Sequence, residues 1–301
     1  MADHTVRVSE THVTTDDGCR LWTARHAVAA GAAGAAGAED VRSRDGYVLC
    51  HGGPGFWDTL SPIAELLTER GPVIRWDQRG GGRSAHQGPY TLARFIDDLD
   101  TVRDANGLDQ VTVVGHSWGA SLALQYALTH PDRVRALIYI SGTGLSWNWR
   151  EEHKANWLAA MSPYAAKYAA LDAIERPTVG QEREADLLRL AIDFADPSTA
   201  RPQAGRLLSP YVRSDPEVNP TLNAEMRTLT EADLVERCRA LTVPTLIIDG
   251  ALDLRPRWAV DSLADALPNM TRVTLKSAAH MPWLDDPAGF AAALRTIDSE
   301  S

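Results

Sequence analysis

Gly115-His116-Ser117-Trp118-Gly119 sets a serine between two glycines. The β-branched run Val111-Thr112-Val113-Val114 leads in, and the small, helix-compatible run Ala120-Ser121-Leu122-Ala123-Leu124 leads out. G-x-S-x-G between a strand and a helix is the setting of a nucleophile elbow, a turn so tight that only minimal side chains fit beside it. A serine hydroxyl is a poor nucleophile alone; it needs a base, and the base needs an acid to orient it. With an elbow serine, the acid and then the histidine should follow along the chain. Of nine histidines only His280 lies late enough, in Ser277-Ala278-Ala279-His280-Met281-Pro282-Trp283 before the final predicted helix. Two aspartates are candidates for the acid. Asp249 closes a predicted strand, where its side chain could be structural; Asp253 lies in the loop beyond it, Gly250-Ala251-Leu252-Asp253-Leu254-Arg255-Pro256. Asp253 is favoured because it can turn back towards His280, fixing the imidazole tautomer and stabilising the imidazolium without taking the proton.

The tetrahedral oxyanion needs two donors. One is the backbone N–H after the nucleophile, Trp118; the second is assigned to Gly53 in His51-Gly52-Gly53-Pro54-Gly55, where glycine lets the backbone approach closely. Asp77-Gln78-Arg79-Gly80-Gly81-Gly82-Arg83-Ser84 lacks the G-x-x-x-x-G-K-[ST] order of a phosphate loop. It reads as a structural loop whose charges pair internally, forming a floor near the glycine loop. No H-E-x-x-H and no close His/Cys cluster occurs, so no metal or cofactor is assigned. Trp147 and Trp149, with Trp157, Tyr164 and Tyr168 beyond, could be plain packing or an aromatic wall around a small apolar group; Trp147 and Trp149 are assigned to substrate binding.

These residues need a scaffold. Alternation predicts antiparallel strands over residues 5–13 and 20–26 about an Asp16-Asp17-Gly18 turn. The Ala/Gly run 27–38 reads as a flexible loop. Strands are expected at 47–50, 73–76, 111–114, 134–140, 243–250 and 271–275, and helices at 62–70, 91–106, 257–267 and 287–297. Between 145 and 240 the apolar strands vanish, and breaks at Pro163, Pro177, Pro197, Pro202, Pro210, Pro216 and Pro220 separate helix-like pieces. The division is therefore a core of 1–144 plus 241–301 and an inserted helical cap of 145–240. Strands alternating with helices imply an α/β fold, a mainly parallel sheet with helices on both faces, and ligands at the carboxyl ends of its strands.

The 301 residues suffice for such a domain, and the net charge of -10 argues against a nucleic-acid partner. Three scattered cysteines (Cys19, Cys50, Cys238), no apolar leader and no spanning run point to a reducing cytoplasm without a membrane partner.

Three motifs, His51-Gly52-Gly53-Pro54-Gly55, Asp77 to Ser84, and Ser117-Trp118-Gly119 running into Leu122-Ala123-Leu124, carry a resemblance. The chain resembles α/β-hydrolases of the proline iminopeptidase type, serine peptidases of family S33. The resemblance implies an α/β-hydrolase fold, a Ser117–Asp253–His280 triad with Gly53 and Trp118 at the oxyanion, and release of N-terminal proline or another small residue from a short peptide. It also implies cap glutamates that hold the free α-amino group. No Trp-Glu pair of the family's kind occurs, and Glu182, Glu184, Glu217, Glu225 and Glu231 are all available for that role. The alternative is an esterase, lactonase or amide hydrolase acting on a small metabolite. A non-catalytic receptor on the same fold is the third possibility.

Overall fold

The computed structural model describes residues 6–28 and 45–300. Strands β1 (Val6–Thr14), β2 (Arg20–Val28), β3 (Asp45–Cys50), β4 (Val73–Trp76), β5 (Gln110–His116), β6 (Val134–Ile140), β7 (Thr245–Gly250) and β8 (Met270–Leu275) form one eight-stranded sheet. Their order is β1-β2-β4-β3-β5-β6-β7-β8. β1 and β2 form an antiparallel hairpin and β2 joins β4 antiparallel; every pair from β4 to β8 is parallel.

The central strands β3 and β5 are apolar and almost wholly buried, as strands covered on both faces must be. Alternation divides their side chains between two layers. Val48 and Cys50 join Phe95, Leu99 and Leu122 on one face; Tyr47 and Leu49 join Ile63, Ile138 and Phe290 on the other. The helix Leu92–Ala105 starts at Thr91, whose hydroxyl accepts the Arg94 N–H at 3.3 Å, and buries the predicted stripe Leu92, Phe95, Ile96, Leu99 and Val102. β3 lies between β4 and β5, so the chain reverses its direction across the sheet there. The loops after β3 and β5 diverge and leave a crevice at their carboxyl ends, where such sheets bind ligands.

Between β6 and β7 the chain folds into the helices Arg150–Met161, Ala165–Asp172, Val179–Ala191, Pro197–Leu207, Val218–Met226 and Glu231–Arg239. Two of the expected breaks are not breaks. Pro202 lies inside Pro197–Leu207 and Pro220 inside Val218–Met226. Burial of Ala200 and Ala204 outweighs the helix hydrogen bond that Pro202 withholds, and Pro220 withholds none because it lies in the first turn, whose N–H groups have no acceptor within the helix. The Ala/Gly loop also begins later than its composition suggests. Ala27 and Val28 pair with Arg7 and Val6 in the hairpin, a long-range ladder that local composition cannot report, and positions 29–38 lie outside the described residues. The last predicted helix runs over Pro287–Leu294 before tightening, and a short unpredicted helix, Pro282–Asp285, precedes it.

Candidate active site

Ser117 sits at the end of β5 with φ 57 and ψ -119, a backbone conformation that costs a non-glycine residue about 1–3 kcal/mol. Its N–H donates to the Ile140 carbonyl at 2.9 Å, which pins the turn to β6. A Cβ on Gly115 would lie 2.1 Å from the Gly119 carbonyl oxygen, and one on Gly119 would lie 2.0 Å from that of Cys50. Both glycines are required because backbones touch there. Trp118 opens the helix Trp118–Thr129, so its N–H has no intrahelical acceptor and the helix presents its positive end to the serine.

His280 and Asp253 meet across 27 positions of sequence, Nδ1 to Oδ2 at 2.7 Å, both buried. With Nδ1–H given to the carboxylate, Nε2 keeps its lone pair. Burial alone would raise the Asp253 carboxyl; His280, Arg255 and Arg257 outweigh it and hold the group far below the usual carboxylate range. Asp249 is placed elsewhere, accepting from Arg257 at 2.7 Å and from Arg272 at 2.8 Å. The His280 backbone is fixed at both ends. Its N–H donates to the Asp193 carbonyl at 3.1 Å, and its carbonyl accepts from His116 Nε2 at 2.9 Å. Burial, reinforced by the His280 charge, holds His116 well below the ordinary imidazole value, so it serves as a neutral donor.

Gln78 ties the three motifs together. Its side chain donates to the His51 carbonyl at 2.9 Å and accepts from Trp118 Nε1 at 3.0 Å, and its backbone N–H donates to His51 Nε2 at 3.0 Å. The charges of that loop pair internally only in part. Asp77 accepts from the Arg83 guanidinium at 2.6 Å, but Arg79 reaches out of the loop to Asp98 at 2.6 Å and Asp17 at 3.0 Å. Asp98 lies on the buried stripe of its helix, so the pairing is set by packing rather than by nearness in sequence.

Ser117 opens onto two cavities. One, of about 250 Å³, is lined by Gly53, Trp118, Trp147, Trp149 and Arg150 among others; the second, of about 230 Å³, is lined by Gly53, His116, His280, Asp193 and Arg255 among others. Trp147 and Trp149 stand together, ring centroids 6.4 Å apart, and Trp147 Nε1 donates to the Met226 carbonyl at 3.2 Å. Trp157, Tyr164 and Tyr168 instead pack around Met161, Leu188 and Ile192. The candidate glutamates are occupied or remote. Glu182 pairs with Arg213 at 2.5 Å, Glu184 with Lys167 and Arg201, and Glu225 accepts the Leu92 N–H at 2.7 Å. Neither Glu217 nor Glu231 lines a cavity that contains Ser117. Among the described residues no group of three His, Cys, Asp or Glu side chains could hold a metal ion.

The sequence assigns no part to His116, Gln78, Asp193 or Arg255. Their signal is tertiary: His116 and the His280 carbonyl are 164 positions apart.

Sheet order, crevice and elbow define a class, and a family model described as the alpha/beta hydrolase fold matches residues 48–287. The chain belongs to the α/β-hydrolase fold family and is a hydrolase. Within it, a proline iminopeptidase of Heyndrickxia coagulans is 26% identical over 256 residues, covering 82% of this chain and 88% of that protein. RutD of Caulobacter vibrioides, named for carbamate hydrolysis, is 44% identical over 105 residues, and that match spans 34% of this chain and 36% of the relative's length. The enol-lactonase of Burkholderia xenovorans superposes with a TM-score of 0.70 at 18% identity over 96% of this chain and all (100%) of that one, a likeness of fold. No helix among the described residues is long and apolar enough to cross a membrane.

Proposed function

We propose that the protein is a serine hydrolase working through an acyl-enzyme on Ser117. The observation that carries the reading is the buried Asp253–His280 pair at 2.7 Å, with His280 and Ser117 on the walls of one cavity. His280 Nε2 takes the hydroxyl proton as Ser117 Oγ attacks the substrate carbonyl. The N–H groups of Gly53 and Trp118 receive the oxyanion, and His280 returns the proton to the departing alcohol or amine. Water, deprotonated by the same base, then releases the acid. In this reading residues 145–240 form a cap over the core of 1–144 and 241–301, and Trp147 and Trp149 line the substrate pocket. The partner is a small molecule or short peptide, not a nucleic acid or a membrane. The three unpaired, buried cysteines support a cytoplasmic setting.

For the substrate we favour a small ester, lactone or amide. An aminopeptidase needs an uncommitted carboxylate for the α-ammonium group. Asp193 is the one acid lining either Ser117 cavity among the described residues, and it is paired with Arg255 at 2.7 Å. The second reading, release of N-terminal proline, is supported by the three motifs and by the iminopeptidase relative, which aligns over 82% of this chain. A panel of proline, alanine and N-blocked nitroanilides beside short-chain nitrophenyl esters separates the two. Rapid ester hydrolysis with no nitroaniline release is expected. Turnover of the free-amine proline anilide but not its N-blocked form would establish the aminopeptidase. A folded protein whose Ser117 resists a fluorophosphonate would remove both.

A further inference from the structure

The cavity shared by Ser117, Trp147 and Trp149 carries polar groups that the protein leaves unanswered. Arg150, the first residue of the helix Arg150–Met161, lines it. Its guanidinium carbon lies 5.0 Å from the Trp147 ring centroid and 5.5 Å from that of Trp149. A second guanidinium, that of Arg227, stands 5.4 Å from the Trp147 ring. Among the described residues neither arginine has a carboxylate partner. The nearest acids in sequence do not serve: Glu152 accepts from Trp258 Nε1 at 2.8 Å, and Glu151 forms no ion pair with Arg150.

One turn further along the helix, His153 lines the same cavity, and its Nε2 is buried without a hydrogen-bond partner. Burial, then the charge of Arg255, pushes this ring down to about 4, so it is neutral at pH 7 and can donate without adding charge. Buried polar atoms without partners are rare and call for an explanation. Arg150 and Arg227 are exposed, but two like charges beside one indole, with no counter-ion, still favour an arriving anion, and the guanidinium fork matches a carboxylate.

We propose that this cavity binds a carboxylate carried by the substrate, with Arg150 as its anchor and His153 in its wall, while the scissile carbonyl lies at Ser117. The inference rests on the serine-hydrolase reading and names its substrate class: the ester, lactone or amide of an acid that bears a further carboxylate. The aromatic pair holds the short chain between the two ends, and the volume of about 250 Å³ keeps that chain short. An α-ammonium group would meet charge of the wrong sign here.

The test compares 4-nitrophenyl hydrogen glutarate with its neutral methyl ester. The acid is expected to show a kcat/KM about tenfold or more above the methyl ester at low salt, expressed in KM, because a charge-assisted contact is gained. That preference should shrink as ionic strength rises. Arg150→Gln should collapse the ratio, and Arg150→Lys should restore part of it. Independently of turnover and of the folding of any variant, glutarate should slow fluorophosphonate labelling of wild-type Ser117 while dimethyl glutarate does not. Equal turnover of the two esters, an unchanged ratio in folded Arg150→Gln, or no protection by glutarate overturns the inference and leaves the hydrolase standing. A folded protein that turns over neither ester and does not label at Ser117 loses both.

Discussion

Elsewhere on the sheet side Ser141 Oγ and Trp283 Nε1 are buried without partners, but in the frame around His280 the polar groups answer one another: Asp253 holds His280, His116 holds the His280 carbonyl, and Gln78 joins His51 to Trp118. On the cap side they do not. Arg150 has no counter-ion among the described residues and His153 Nε2 has no partner. A satisfied, buried network is stiff, and stiffness serves a catalytic geometry that must not reorganise as charge develops. An exposed guanidinium without a counter-ion and a buried nitrogen without a partner suit a binding surface whose partners arrive with the substrate. In the proposed reading, the contrast separates what makes the reaction from what selects the molecule.

The strongest way to break that contrast is to strike the sheet side. Ser117→Ala should abolish ester turnover, and Asp253→Asn should lower kcat about 10³- to 10⁴-fold by presenting the wrong imidazole tautomer. Circular dichroism should show both variants folded, and stopped-flow assays measure the residual rate. An Asp253→Asn enzyme within tenfold of the parent would mean that His280 is not oriented through this bond.

A smaller loss tests whether the network positions the site. Gln78→Leu strands Trp118 Nε1 and the His51 carbonyl, at about 1–3 kcal/mol for each buried group left unmade. Both the melting temperature and kcat should fall, kcat by about tenfold, because the two oxyanion loops lose their common brace. A stability loss with kcat intact would reduce Gln78 to packing.

The fold and the order of the candidate site residues were legible because their signals are local. A β-branched run, a G-x-S-x-G and a small-residue helix occupy one short stretch, and parallel strands announce themselves as apolar runs between helices. Its place in the loop beyond β7 favours Asp253 over Asp249, and the structure sets Asp253 against His280 while Asp249 holds two arginines. What escaped was non-local. Nothing near Arg79 in sequence says that it will leave its own loop for Asp98, and nothing near Asp193 says that its carbonyl will hold His280. The partners of the cap glutamates were hidden for the same reason, since a charge run does not say which helix will pack beside it.

Acid should find the sheet side first. His51 and His116 are held below the ordinary imidazole value by burial, and His26 and His153 are pushed down to about 4 for the same reason. At these imidazoles the unfolded chain, near 6.5, binds more protons between pH 6.5 and about 4, so their contribution to stability decreases as pH falls through that window, while the buried carboxyls of Asp58, Asp98, Asp249 and Asp285, raised by burial, act in the opposite sense. Asp253, depressed in the folded state, adds stability that is present above about pH 4 and is lost below it. Melting temperature should drop by roughly 5 °C or more between pH 7 and pH 5. His116→Gln should flatten that slope at least as much as His153→Gln does, because burial holds the enclosed His116 ring well below its ordinary value. A smaller flattening by His116→Gln would erase the distinction between the two sides.

The mildest change sharpens the comparison from the cap. Trp147→Phe keeps an aromatic ring against Trp149 but removes the Nε1 bond to the Met226 carbonyl and gives Arg150 and Arg227 a weaker face to stand against. A cation–aromatic contact at a half-exposed site is worth about 0.5–1 kcal/mol, so KM for a preferred substrate should rise about two- to fivefold while kcat holds. The split is informative because the two sides make opposite forecasts for it. If Trp147 belonged to the catalytic frame, the same substitution would lower kcat and kcat/KM together, as loss of a transition-state contact does. A change confined to KM places the aromatic wall with the unsatisfied arginines, on the half of the pocket that waits for its ligand.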